Sequence, residues 1–425
     1  MQNIQIKNGR VIDPKNKVDQ VTDVFISQGK ILALGETPTS FQTDTVIDAT
    51  DLIVCPGLVD LSARLREPGD EYKATLISEL QAAVAGGITS LACPPDTDPV
   101  LDEPGLVEML KHRTKQLNLA NVYPLGALTR QLAGKTLSEM NELTAAGCVG
   151  FSQANISITN TEVLWRAMQY AATFKFTLFL NAEEPFLAQG GVAHDGEVAT
   201  RLGLKGIPSA AEALALASIL RIAKETNAQV HITRLSSAEA VDMIRTAKKQ
   251  GLNVTCDVAI THLHLTEHDI GFYNSHCHLK PPLRTQRDKD ALSTGLKDGT
   301  IDAICSDHSP VDDDAKLVPF AQSEIGASGL ELLLPLTLKW ATQEKVSMSD
   351  ALNLISHQAS SILNIKAGTL TIGHDADLCL FDAKTFWRVE AKSLKSQGKN
   401  TPFDGFEIAG KVKTTIRNGR IVYQQ

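Results

Sequence analysis

The sequence has no Cys-x-x-Cys pair, no block of consecutive basic residues, few aromatic residues and no long apolar run. Each absence excludes something. Seven cysteines (Cys55, Cys93, Cys148, Cys256, Cys277, Cys305 and Cys379), odd in number and widely spaced, argue against a disulfide scaffold or a thiolate zinc site. Most lie in apolar runs such as Ile53-Val54-Cys55-Pro56, where a thiol packs as a small hydrophobe. A formal net charge of -8 without a basic footprint argues against nucleic acid or an anionic membrane as partner. No apolar stretch approaches the roughly 18 residues of a membrane span. The opening Met1 to Lys7 also lacks the basic and apolar regions of a signal peptide, so the expected location is cytoplasmic. What remains is an ordinary globular composition, 43% hydrophobic and 21% charged over 425 residues. That length suits two or three domains, or one large barrel with an accessory.

The two ends echo one another, with Ile6-Lys7-Asn8-Gly9-Arg10-Val11-Ile12 near the start and Ile416-Arg417-Asn418-Gly419-Arg420-Ile421-Val422 near the end. Asn-Gly between alternating apolar residues predicts a tight hairpin at each place, because both central turn positions need φ > 0. Residues 1–54 and 366–425 both carry strand-like pieces and are expected to form one composite β domain, a small sandwich. Between them, residues 55–365 alternate short apolar runs with helical patterns. Strands are predicted at 58–61, 88–92, 122–125, 149–152, 177–180, 229–232, 253–257 and 301–306. Helices are predicted at 74–85, 107–116, 163–172, 211–223, 238–249, 289–296 and 330–340. This pattern predicts an α/β fold, a (β/α)₈ TIM-like barrel whose chemistry would sit at the C-terminal strand ends.

The first strand leads into Asp60-Leu61-Ser62-Ala63-Arg64-Leu65-Arg66-Glu67-Pro68-Gly69. Later come Gly86-Gly87-Ile88-Thr89, Pro281-Pro282-Leu283-Arg284, Ser306-Asp307-His308-Ser309-Pro310 and Thr401-Pro402-Phe403-Asp404-Gly405. In these motifs and their order the chain resembles the dihydroorotases of the amidohydrolase superfamily, near the type I members, over nearly its whole length. The resemblance implies a fold that opens and closes the dihydroorotate ring in pyrimidine biosynthesis with zinc-activated hydroxide. The metal is needed because amide carbonyls and neutral water are both unreactive.

The expected ligand positions depart from that pattern. Ser62 and Arg64 stand where the family has His-x-His, Gln153 where it has an aspartate, Asn181 and Arg234 where it has histidines. Only Asp307 survives, as a vestige of the catalytic set. Arginine has no lone pair to offer a metal. The expectation is therefore no intact catalytic set, no bound zinc and no other cofactor. Arg64 and Arg234 are expected to fill the vacated region and pair with Asp307. On the substrate side, Arg66 matches an arginine that grips the substrate carboxylate and His308 a histidine beside the ring, so both are candidate ligand-binding residues. Asp96 and Lys280 replace asparagines and weaken that expectation.

The resemblance further implies a pseudoenzyme, an inactive homologue that partners the catalytic subunit of aspartate carbamoyltransferase in a hetero-oligomer. The alternative is an active dihydroorotase with an unconventional metal site drawn from His262, His276, His278 and His308. The His262-Leu263-His264 and His276-Cys277-His278 spacings invite that idea, since i and i+2 share a face on a strand. A packing or surface role is the favoured reading of both spacings. A third reading is an anion sensor using Arg66 and His308. Neither adjacent Glu183-Glu184 nor the acidic run Asp312-Asp313-Asp314 has the spacing of a glycosidase pair or a calcium loop.

Overall fold

The computed structural model describes residues 2–425. Eight parallel strands form its centre in the order β8 to β1: β1 Leu58–Asp60, β2 Ile88–Cys93, β3 Asn121–Ala127, β4 Gly150–Ser152, β5 Thr177–Asn181, β6 Gln229–Thr233, β7 Val254–Ala259 and β8 Ala303–Cys305. All the sequence-predicted strands are present within a few residues. Just beyond the ends of β1 and β8, the Arg64 N–H donates to the His308 carbonyl (2.9 Å) and the His308 N–H donates to the Ser62 carbonyl (3.1 Å). A parallel bridge between Ala63 and His308 thus draws the two edge strands together. The α/β barrel expected from the apolar rhythm is the observed fold.

Side-chain alternation divides each strand between two environments. Val59, Leu61, Ala92, Leu125, Phe179, Ala259, Ala303 and Cys305 fill the barrel interior. Leu58, Leu91, Leu178, Leu180, Val230 and Ile232 belong instead to the outer core, beneath the helices. The same alternation puts Asn181, two residues after Phe179, on the inward side at the open end of β5. The helices fall close to their predicted places, for example Leu76–Ala85, Thr161–Phe174, Ser209–Thr226 and Ala238–Lys249. Met140–Ala146, a helix without a long enough apolar period to be read, is additional.

Both ends of the chain contribute to a six-stranded sheet, in which Leu378–Phe381 pairs antiparallel with Ile53–Pro56. A second, four-stranded sheet holds Ile4–Lys7, Val24–Ser27, Lys30–Leu34 and Thr45–Asp48. Ile6, Val24, Ile26, Val54, Leu378 and Ile416 share one buried cluster between the sheets. The Asn418-Gly419 turn joins Glu407–Arg417 to Arg420–Gln424 as a hairpin. The Asn8-Gly9 expectation fails. Ile4–Lys7 and Arg10–Asp13 lie in different sheets, so this turn is a corner between layers. Its glycine is needed for close approach: a Cβ on Gly9 would stand 2.5 Å from Val54 Cγ2.

Phe179 fills the barrel axis against His231, with ring centroids 5.1 Å apart. Phe179→Ala is expected to cost about 3–5 kcal/mol of stability, read as a lower midpoint of urea unfolding.

Candidate functional site

Arg64, Arg66, Asn181, Arg234 and Asp307 leave the C-terminal ends of β1, β5, β6 and β8, and the barrel brings them to one mouth. Asp307 is the hub. Its Oδ1 accepts from Arg234 Nη1 (3.0 Å), Arg64 Nη1 (3.5 Å) and Ser62 Oγ (3.5 Å). Arg64 also donates from Nε to Asp96 Oδ2 (2.8 Å) and from Nη1 to Ser309 Oγ (3.0 Å). Arg234 donates from Nη2 to Asn155 Oδ1 (2.6 Å) and from Nη1 to the Lys280 carbonyl (3.3 Å). Both arginines are buried, and burial opposes their charge. For Arg64 the fields of Asp96 and Asp307 outweigh that burial and raise its pKa. Burial would likewise raise Asp96, but Arg64 beside it holds this carboxyl below its usual range.

Backbone strain helps to aim these groups. Arg66, Ala154, Arg234 and Asp307 have φ of 62°, 51°, 56° and 46°, in the left-handed region that costs non-glycine residues about 1–3 kcal/mol. At Arg234 the cause is visible: its N–H donates to Asp257 Oδ1 (2.6 Å). Asp257 Oδ2 in turn accepts from His231 Nε2 (3.0 Å), whose Nδ1 accepts from Thr255 Oγ1 (2.8 Å). His231 thus supports the turn from within the strand.

The remaining candidates divide. Gln153 is turned into local framework, accepting from Thr129 Oγ1 (3.0 Å) and donating to the Leu132 carbonyl (2.7 Å). Arg66 donates from Nε to the Pro310 carbonyl (2.9 Å), and burial followed by the nearby Arg64 charge lowers its pKa. His308 does not face a ligand. It is fully buried, its Nδ1 accepts from Gly329 N–H (3.1 Å), and its Nε2 donates to Glu79 Oε2 (2.6 Å). Burial would raise Glu79, yet the bond from His308 holds it below the usual carboxylate range. Lys280 pairs with Glu183 (2.8 Å). Asn155 and Glu79 are the members that sequence reasoning missed, while the roles of Asp96 and of Lys280, here paired with Glu183, were misread. A buried arginine requires a countercharge, and that requirement was the available signal for Asp96.

Of the histidines around the alternative site, His262, His264 and His278 are likewise engaged, whereas the buried His276 Nδ1 has no hydrogen-bond partner. His262 donates from Nε2 to the Pro281 carbonyl (3.1 Å) and His264 to the Leu336 carbonyl (2.9 Å). His278 Nδ1 donates to the Ser323 carbonyl (2.8 Å). Burial pushes all three down to about 4. Among the described residues no group of three or more His, Cys, Asp or Glu side chains is placed to hold a metal ion.

Residues 51–240 match a family model described as "Dihydro-orotase-like". The chain is 42% identical over 421 residues to a "Dihydroorotase-like protein" of Pseudomonas aeruginosa, covering 99% of each. The chain belongs to the dihydroorotase-like family. It is also 40% identical over 422 residues to a "Dihydroorotase" of Geobacter sp. (strain M21), again covering 99% of each. Among solved structures, the L-hydantoinase of Arthrobacter aurescens superposes with a TM-score of 0.89 at 23% identity, covering 100% of this chain and 96% of that one, so the barrel fold is shared.

The zinc implied by resemblance to dihydroorotases does not fit these residues. Of Ser62, Arg64, Gln153, Asn181, Arg234 and Asp307, only Asp307 is an anionic donor, and two guanidinium groups already occupy its Oδ1. Arg234 Nε and Asn181 Nδ2 are buried without partners, and both are hydrogen-bond donors, the opposite of what a cation needs.

Two outcomes follow. Asp307→Asn leaves the buried Arg234 guanidinium without its carboxylate, while Arg64 keeps Asp96, and is expected to cost about 3–5 kcal/mol, measured by chemical denaturation. Asp96 and Glu79 are held low, so their contribution is complete above the ordinary carboxylate pKa near about 4 and is lost as pH falls through their lower folded values. Asp96→Asn should flatten the acid limb of stability against pH while lowering stability at neutral pH.

Proposed function

We propose that this chain is a catalytically inactive dihydroorotase-like protein of pyrimidine biosynthesis, acting in the cytoplasm as a non-catalytic partner of the aspartate carbamoyltransferase catalytic subunit. The observation that carries the inactivity is the pairing of Arg64 and Arg234 with Asp307 at distances of 3.5 and 3.0 Å. In that arrangement the one carboxylate left to bind metal or take a proton from water is already neutralised by fixed charge. Arginine stays protonated at every working pH, so neither neighbour can serve as a base in its place. The partnership rests on the family resemblance and on a barrel whose outer helices and loops remain available as an interface after its chemistry is lost.

A second reading, an active dihydroorotase, is favoured by the name of the Geobacter relative. It would require His262, His278 or His308 to leave their present bonds and join His276. His308 would have to abandon Glu79, and His262 the Pro281 carbonyl.

The test is dihydroorotate turnover in both directions with zinc supplied, with bound metal quantified in the same sample. The expected result is no turnover above background and far less than one equivalent of zinc. Turnover with stoichiometric zinc would establish the active reading. Mixed at micromolar concentration with the transferase catalytic subunit, the protein should elute as a larger complex of fixed stoichiometry, and separate elution would sink the partnership.

A further inference from the structure

A cavity of about 370 Å³ lies between the loop after β4, the turn after β5 and the helices Thr161–Phe174 and Ser209–Thr226. Its volume falls in the range of about 300–1,000 Å³ usual for small-ligand pockets. Leu164, Leu180 and Ile219, all buried, give it an apolar floor. Around the same cavity Ile156, Phe186 and Leu214 are 49%, 77% and 54% exposed. Single exposed apolar side chains need no explanation, but three around one apolar cavity mark a surface that gains by being covered.

The walls are tied to one another. Ser157 Oγ donates to the Glu183 carbonyl (2.6 Å), joining the loop after β4 to the turn after β5. The Glu184 N–H donates to the Ala211 carbonyl (2.8 Å), joining that turn to the helix Ser209–Thr226. Glu184 Oε2 accepts from the Leu187 N–H (2.7 Å) and so starts the short helix that carries Phe186. A cavity held open in this way spares a ligand the cost of ordering its walls. Charge then decides what kind of apolar molecule fits. Glu183 and Glu184 line the cavity, and among the described residues no lysine, arginine or histidine does. Glu183 is neutralised by Lys280 at 2.8 Å, whereas Glu184 is in no ion pair among the described residues. One uncompensated carboxylate therefore stands beside the apolar floor.

We propose that this cavity binds a small amphipathic amine, its apolar body against Leu164, Leu180 and Ile219 and its ammonium group directed to Glu184. A carboxylate ligand of the same shape would meet like charge there, and a neutral one would forgo the charge-assisted bond. The site uses neither Asp307 nor its arginines and is independent of the transferase partnership.

The test titrates the full chain with 2-phenylethylamine, 2-phenylethanol and 2-phenylacetate at constant ionic strength, read by calorimetry and by melting temperature. The expected result is saturable one-to-one binding of the amine, at least tenfold weaker binding of the alcohol and none of the carboxylate. Ser218 lines the cavity from an exposed position on its helix, so Ser218→Phe fills the space without disturbing the core and should abolish amine binding. Glu184→Gln keeps an acceptor for the Leu187 N–H and should bring amine and alcohol to equal affinity. Absence of saturation by the amine, equal binding in a folded Ser218→Phe protein, or an amine preference that survives Glu184→Gln overturns the proposal. So does an amine that fails to bind while Ser218→Phe abolishes self-association or the transferase complex, since the cavity would then belong to a protein side chain.

Discussion

One carboxylate oxygen organises the mouth of this barrel. Asp307 Oδ1 takes a hydrogen bond from Arg234 after β6 and from Arg64 and Ser62 after β1. A buried carboxylate must be compensated, and a mobile cation is one means of doing so. Here the compensation is covalently part of the chain. Guanidinium groups cannot dissociate from the chain, so this compensation does not depend on metal supply. Long side chains must then be held in place, and the surrounding structure does that holding. Asp96 and Ser309 fix Arg64, while Asn155 and the Lys280 carbonyl fix Arg234. The strained turn at Arg234 is held by Asp257 and, behind it, by His231.

A second buried polar cluster ties the mouth to the C-terminal part of the chain. Glu79, on the first helix after β1, accepts from His308 through Oε2. The same carboxylate accepts from Ser396 Oγ (2.7 Å) and from the Gln397 N–H (2.9 Å). Glu331 accepts from the Lys395 N–H (2.7 Å), and burial pushes its carboxyl up to about 7. Asn400 completes the attachment, donating from Nδ2 to the Ser309 and Gly326 carbonyls (3.0 Å each). The segment from 394 to 400 thus lies as a strap across the loop after β8. His308 serves this attachment, and with both of its nitrogens engaged it has nothing left for a ligand.

Much of the fold was legible because the barrel depends on features that are local in sequence. Apolar runs of strand length between helical periods located all eight barrel strands, since burial on both faces requires such runs. The pairing of Arg64 and Arg234 with Asp307 was legible too, because buried charges of opposite sign at strand ends seek one another. Partnerships between distant residues were less so. Asp96 looked like an adverse charge near a negative ligand, whereas it compensates Arg64 across 32 positions of sequence. Lys280 looked like a lost asparagine, whereas it pairs with Glu183. At Asn8-Gly9 the dipeptide permits positive φ but does not say which strands it joins. Packing of Gly9 against Val54 and Ala49 decided for a corner between sheets.

The separation between barrel and mouth explains how the chemistry can change while the fold does not. Phe179, Leu61, Leu125 and Val59 pack in one apolar cluster of the barrel interior, while Arg64, Arg234 and Asp307 gather at the strand ends. The hydantoinase superposition, a TM-score of 0.89 at 23% identity, fits that division. Residues at the strand ends can therefore differ without disturbing that cluster, and their chemistry sets the demand of the site. Imidazole and carboxylate groups offer electron pairs and call for a cation. Guanidinium and amide N–H groups offer protons and call for an acceptor. The mouth of this chain is built mainly from the second kind, and the carboxylate at its centre is answered by arginine.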